Sequence, residues 1–241
     1  MSEAAFLPFP KMGRLTRTCV ITEKIDGTNA QVNIVPKSLV SLAEDVSAVV
    51  AESADSFMFA GSRTRYITPG KSTDNAGFAA WVKDNAADLF QLGPGRHFGE
   101  WWGSKIQCGY GLTERRFSLF NTSRWVDRHT EAGLIGDMWP DVANLEPGQQ
   151  FAPACCHVVP VLFEGMFSDH VVHNMLELLR ARGSVAAPGW MKPEGIVVFH
   201  TATGTLFKKT LEGDESPKAL HKVAQPVSQA AIDSEWARSE T

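Results

Sequence analysis

The stretch Thr22-Glu23-Lys24-Ile25-Asp26-Gly27-Thr28-Asn29 decides how the rest of this chain is read. It follows the apolar run Cys19-Val20-Ile21 and precedes an alternating run from Ala30 to Val35. That order predicts a strand, a glycine-bearing turn and a second strand, together a hairpin. The period of two places Lys24 and Asp26 on one face if extended backbone continues that far. Gly27 lets the chain bend, or approach a ligand where a side chain would obstruct. A lysine and an aspartate on such a turn are ordinary solvated charges unless later parts of the chain converge on them.

Composition narrows the classes. The chain has 241 residues, 44% hydrophobic and 21% charged, which suits one large globular domain or two small ones. A net charge of −4 does not describe a broadly basic nucleic-acid-binding surface, so any such surface must be a local patch. Four cysteines, with Cys155 and Cys156 adjacent, form neither a disulfide framework nor a zinc spacing, and the seven histidines are scattered without a metal-ligand pattern. The amino terminus lacks a charged-then-apolar leader and no apolar run is of bilayer length, so a reduced, cytoplasmic setting without a membrane partner is expected.

In chain order, Phe6 to Pro10 reads as an extended arm, and Leu39 to Ser56 as a peripheral helical or irregular insertion. Phe57 to Gly61 is a short buried strand leading into Ser62-Arg63-Thr64-Arg65. The two arginines there form either a phosphate fork or a solvated basic turn. Asp74 or Asn75 caps a helix through Phe78, Trp81, Val82 and Leu89, ended near Gly93-Pro94-Gly95. His97 to Gly103 is a strand with Glu100 among aromatics, an edge residue or a site group, since an unpartnered buried acid is costly. Arg115 to Phe120 is another strand, with Phe117 and Phe120 on opposite faces, and Asn121 to Pro153 reads as loops and short turns. His157 to Phe163 is an apolar strand. Ser168 or Asp169 then caps an amphipathic helix with Val171, Val172, Met175, Leu176 and Leu179 on its apolar face and Gly183 at its end. Glu194-Gly195-Ile196-Val197-Val198-Phe199 and Gly204 to Thr210 form a second hairpin, followed by a short helix near Pro217 to Val223 and a loose tail.

Lys24-Ile25-Asp26-Gly27 resembles the nucleophile motif of the covalent nucleotidyltransferases, the superfamily of ATP-dependent ligases and mRNA capping enzymes. Further elements follow in that superfamily's order: Ser62-Arg63, Phe98-Gly99-Glu100, the Arg115–Phe120 strand, Glu194-Gly195-Ile196-Val197, and Lys208-Lys209. Asn29 stands where DNA ligases usually carry arginine, which makes the chain most similar to an ATP-dependent RNA ligase. Two positions depart from the pattern. Asn121 replaces the aspartate usual after the second aromatic, and Thr210 stands where many members carry a further lysine.

The resemblance implies an α+β nucleotidyltransferase domain over residues 1–211, with antiparallel sheets enclosing an ATP cleft. Residues 212–241 would be a short tail, with no full C-terminal accessory domain. It implies that Lys24 attacks the α-phosphorus of ATP to give a lysine-AMP intermediate. AMP would pass to the 5′-phosphate of RNA, and a 3′-hydroxyl would displace it. The resemblance makes Asp26 an orienting group or proton acceptor, places Glu100 at the ribose and Arg63 on a phosphate, and has Lys208 neutralise phosphate charge. Glu194 would hold the lysine or a metal's hydration shell. Phe117 would stack on adenine with Phe120 in reserve, Lys209 is a lesser candidate than Lys208, and Glu23, Ile25 and Asn29 complete the ATP contacts. The implied cofactors are ATP with Mg2+ or Mn2+. The implied partners are nicked or structured RNA ends, with a protein partner assisting RNA capture. The alternatives are a DNA ligase, a GTP-using capping enzyme, and a nucleotide- or RNA-binding module without turnover.

Overall fold

The computed structural model describes residues 9, 12–39, 46–129 and 145–212. Alternation shapes the first strand, β1 (Thr18–Lys24), which buries Cys19, Ile21 and Glu23 on one face. β2 (Thr28–Pro36) buries Ala30, Val32 and Ile34 in the same way. The two strands do not pair, so the expected hairpin is absent: β1 joins one sheet and β2 another. The intervening loop is pressed onto a neighbouring strand instead. A Cβ on Gly27 would lie 2.6 Å from the Trp101 carbonyl oxygen and 2.7 Å from Trp102 Cβ. Ile25 is 3% exposed and packs in a cluster with Trp102 and Tyr110.

β3 (Val49–Glu52) pairs with β4 (Ser56–Ser62), which also carries the short β5 (Tyr66–Ile67). The stretch read as a helical or irregular insertion therefore contains a strand. Two adjacent β-branched residues, Val49 and Val50, favour it, and Val50 joins the core. The expected single helix divides at Asn85 into α1 (Phe78–Asp84) and α2 (Ala86–Leu89). The Asn85 side chain donates to the Trp81 carbonyl, the kind of competition that makes asparagine a poor interior residue. Asp74 caps the first of these helices, accepting from the backbone of Ala79 at 2.8 Å and Ala80 at 3.1 Å.

β6 (Gly95–Gly103) and β7 (Arg115–Leu119) follow, then the short parallel pair β8 (Trp125–Val126) and β9 (Gln150–Phe151). The expected strand from His157 is broken into β10 (His157–Val158) and β11 (Val161–Met166). Pro160, which has no N–H to donate to a ladder, sits at the break. α3 (Asp169–Arg182) starts on Ser168, whose hydroxyl accepts from Val171 N, and ends at Gly183. β12 (Gly195–His200) and β13 (Thr205–Thr210) then form the expected antiparallel hairpin.

The larger sheet has the order β10-β7-β6-β2-β4-β3, with α1 and α2 on its core face around Phe78, Trp101 and Phe117. The smaller sheet has the order β11-β1-β12-β13 and packs Ile21, Ile196 and Val198 against Leu176 and Leu179 of α3. These mixed but mostly antiparallel sheets with few helices agree with the α+β expectation. No described helix is long and apolar enough to cross a membrane. The Phe6–Pro10 arm, Phe9 apart, and the helix expected near Pro217 to Val223 lie outside the described residues.

Candidate active site

Lys24 is the last residue of β1, where the chain leaves the smaller sheet for the larger one. Across the ladder it pairs with Gly195, so Glu194 is delivered to its side. Lys24 Nζ donates to Glu194 Oε2 at 2.5 Å, and the two side chains are 23% and 12% exposed. The larger sheet contributes Glu100, which pairs with Asn29 in the β2–β6 ladder, so the two share a face. Burial pushes the Glu100 carboxyl up to about 7, with the charges of Glu194 and Asp26 adding to the rise. The Lys24 ammonium and a hydrogen bond from the Gly27 N–H oppose it. Lys24 and Glu194 thus lie within electrostatic reach of Glu100 on the larger sheet, as does Asp26 on the connecting loop.

Asp26 is held through its backbone, whose N–H donates to the Tyr110 hydroxyl at 2.7 Å. Burial pushes that hydroxyl far up, so it stays protonated. Tyr110 adopts a left-handed φ of 51°, a conformation that costs a non-glycine residue about 1–3 kcal/mol and tends to gather at functional sites. Its ring packs against Trp102 and Trp190.

Several other expected site residues are placed differently from one another. The Glu23 side chain is only 1% exposed and is held by Ser184 Oγ and the backbone N–H groups of Val185 and Ala186, at 2.6, 2.8 and 2.9 Å. Burial pushes its carboxyl up and those three hydrogen bonds oppose the rise. Glu23 is therefore a clamp between β1 and the 184–187 turn, and its carboxylate offers nothing to a ligand. The buried Ile25 side chain is likewise an anchor. Arg63 is exposed, one residue beyond Ser62, which pairs with Ala30, so it lies beside the Asn29 end of β2. On β13, Lys208 pairs with Val197 and Lys209 with Ile196. Val197 pairs in turn with Thr22 on the Lys24 face, whereas Ile196 packs on α3, so Lys208 shares the face of Lys24 and Lys209 does not.

Phe117 corrects the sequence reading. It is 0% exposed and its ring lies 5.0 Å from that of Phe78 and 5.8 Å from that of Trp81. Stacking on adenine needs an open ring face, and the core covers this one. Alternation along β7 turns Arg116 and Ser118 toward the Glu100 face instead, Ser118 pairing directly with Glu100. Phe120 is 41% exposed and lines a separate cavity of about 250 Å3 with Arg96 and Phe98. Next to Ser118 opens a larger cavity of about 550 Å3, walled by Trp102, Arg116, Pro160 and Ala186 among others.

Residues 17–210 match the RNA ligase family. The chain belongs to that family. Among solved structures this family member is similar to an apo variant of Naegleria gruberi RNA ligase R4a, at 16% identity and a TM-score of 0.44, over 80% of this chain and 49% of that one. It is also similar to a Naegleria gruberi RNA ligase variant with ATP and Mn (16%, 0.43, 80% and 48%) and to the ligase with PPi (15%, 0.40, 80% and 49%). The chain spans about half the length of the solved structures it matches. Comparison with curated proteins found no match.

Sequence reading of this RNA ligase family chain overlooked Tyr110 and Ser184. Tyr110 left one signal, its place between Gly109 and Gly111, where the backbone turns tightly. Ser184 left none, because its partner Glu23 is 161 residues away in the chain.

Proposed function

We propose that this chain is an ATP-dependent RNA ligase that works through a lysine-AMP intermediate on Lys24. The observation that carries the reading is the Lys24–Glu194 contact at 2.5 Å, within electrostatic reach of Glu100, in a chain of the RNA ligase family. An amine attacks phosphorus only after losing a proton, and Glu194 is the nearest acceptor to Lys24 Nζ. The Nζ–P bond then forms as the bond from the α-phosphorus to the bridging oxygen of pyrophosphate breaks. AMP passes to an RNA 5′-phosphate, and a 3′-hydroxyl displaces it to leave a phosphodiester. Lys208 lies on the Lys24 face and Arg63 beside Asn29, where each can meet phosphate oxygens. The carboxylate oxygens of Glu194 suit a hard cation such as Mg2+ or Mn2+, which would be held there through water and would supply charge neutralisation at the transferred phosphoryl group. Arg116 and Ser118, on the wall of the larger cavity, replace Phe117 as the strand's contribution to a base pocket.

The test is incubation of purified protein with α-labelled ATP and Mg2+ or Mn2+, followed by peptide mapping. An acid-labile AMP adduct on Lys24 is expected, and Lys24→Arg should form none while keeping its fold, because guanidinium stays protonated. An adduct elsewhere, or none with the wild type, refutes the mechanism. Labelling by GTP but not ATP would move the chain to the capping class. Sealing of nicked DNA in preference to RNA would make it a DNA ligase.

A further inference from the structure

We propose that Asp127, His129 and His157 form a binding site for one divalent ion of the zinc class, with its open coordination position facing the larger cavity. The proposal does not rest on the ligase reading, and its donors are separate from Lys24, Glu100 and Glu194. Asp127 and His129 lie just beyond β8, and His157 opens β10, which is fixed to β7 through the His157–Ser118 pair. One donor atom from each of the three lies within 4.8 Å of the other two. All three line the 550 Å3 cavity, so an ion there is reached from solvent.

The surrounding hydrogen bonds aim these groups as metal ligands are aimed. Asp127 Oδ1 accepts from the His129 N–H at 2.7 Å and Oδ2 from the Val158 N–H at 2.8 Å, which fixes the carboxylate plane. His129 Nε2 lies 2.8 Å from the Ala154 carbonyl oxygen. A carbonyl only accepts, so Nε2 carries the hydrogen and Nδ1 keeps its lone pair, the arrangement usual for a ligating imidazole. His157 Nδ1 stands 3.5 Å from Asp127 Oδ2. That is long for a hydrogen bond, which spans about 2.7–3.2 Å. It is close to the separation of about 3.3 Å between two ligands on one tetrahedral zinc with bonds of about 2.0–2.1 Å. The two imidazole rings lie 4.5 Å apart between centroids, tilted by 42°, a distance at which two imidazolium charges would repel and one shared ion would attract. Two nitrogens and one carboxylate oxygen select Zn2+ or Co2+ over Mg2+, and three protein ligands leave a fourth position for water or a ligand in the cavity.

The test uses the full chain after chelator treatment and dialysis. It is titrated with Co2+ while d–d absorption is recorded, and with Zn2+ by calorimetry. Wild type, His129→Ala, Asp127→Asn and the double variant His129→Ala/His157→Ala are compared, with far-UV circular dichroism as the check on folding. One equivalent of Co2+ in a four-coordinate spectrum is expected, displaced by Zn2+ and not by excess Mg2+. Each single variant should weaken binding by at least about tenfold and the double variant should abolish it. His129 is exposed, so its replacement leaves the fold intact and keeps the test decisive. Absence of stoichiometric binding, or equal binding by the folded double variant, overturns the proposal. So does a thiolate-to-cobalt charge-transfer band, which would assign the ion to Cys155 or Cys156.

Discussion

Replacing Glu100 with glutamine should change how the stability of this protein depends on pH. The folded structure raises the Glu100 carboxyl from an ordinary value of 4.5 to about 7, burial being the main cause. Between those two values the native state keeps a proton that the unfolded chain has lost. Stability from this group is therefore full below about 4.5 and declines as pH rises to about 7, beyond which it stays lost. At about 1.4 kcal/mol per pH unit, that window amounts to about 3 kcal/mol. Glutamine imitates the protonated acid, and its carbonyl oxygen can still accept from Gly27. Urea unfolding of wild type and Glu100→Gln should coincide near pH 4, and the variant should become the more stable by up to about 3 kcal/mol at pH 8. A difference that stays constant across this range would show that Glu100 does not share a desolvated site with Glu194 and Asp26.

Phe117→Ala should lower stability by about 3–5 kcal/mol in denaturant unfolding, the usual loss for a wholly buried ring, while ATP affinity per folded molecule changes less than twofold. Weakened ATP binding with unchanged unfolding would return Phe117 to the nucleotide. Lys208→Ala should slow formation of the lysine-AMP adduct by at least about tenfold and Lys209→Ala by little, measured by single-turnover labelling, because only Lys208 shares the face of Lys24. Equal effects would mean that the strand register does not set which lysine serves.

What the sequence made legible was mostly local. β12 and β13 were readable because their alternation and the short Gly204 turn lie within one hairpin. Ser168 and Gly183 marked both ends of α3 by their own chemistry. Of the residues singled out in the sequence, the structure puts Lys24 in contact with Glu194 and both within electrostatic reach of Glu100. Pairing between distant strands was not. Nothing in Thr22 to Asn29 says that β1 and β2 part company, since that depends on Trp101 and Trp102 receiving the loop at Gly27. The choice of Phe117 failed for a related reason: a period of two separates two faces without saying which is covered, and α1 covers this one. Glu23 reads as one more charge beside Lys24, yet its partners are donated by a turn 161 to 163 residues later.

The parting of β1 and β2 also bears on when the protein can acquire its chemistry during synthesis. The larger sheet is made from one continuous run of chain, β2 to β10, whereas the smaller sheet combines β1 with β11, β12 and β13. A ribosome therefore releases the first strand of the smaller sheet long before any of its neighbours. Lys24 and Glu194 are 170 residues apart in the chain, so at about 5–20 residues per second Lys24 waits on the order of ten seconds for its partner. A nascent chain halted before β12 can complete every ladder of the larger sheet and still has no Glu194 beside Lys24. The order of translation itself keeps an unfinished chain from possessing this site.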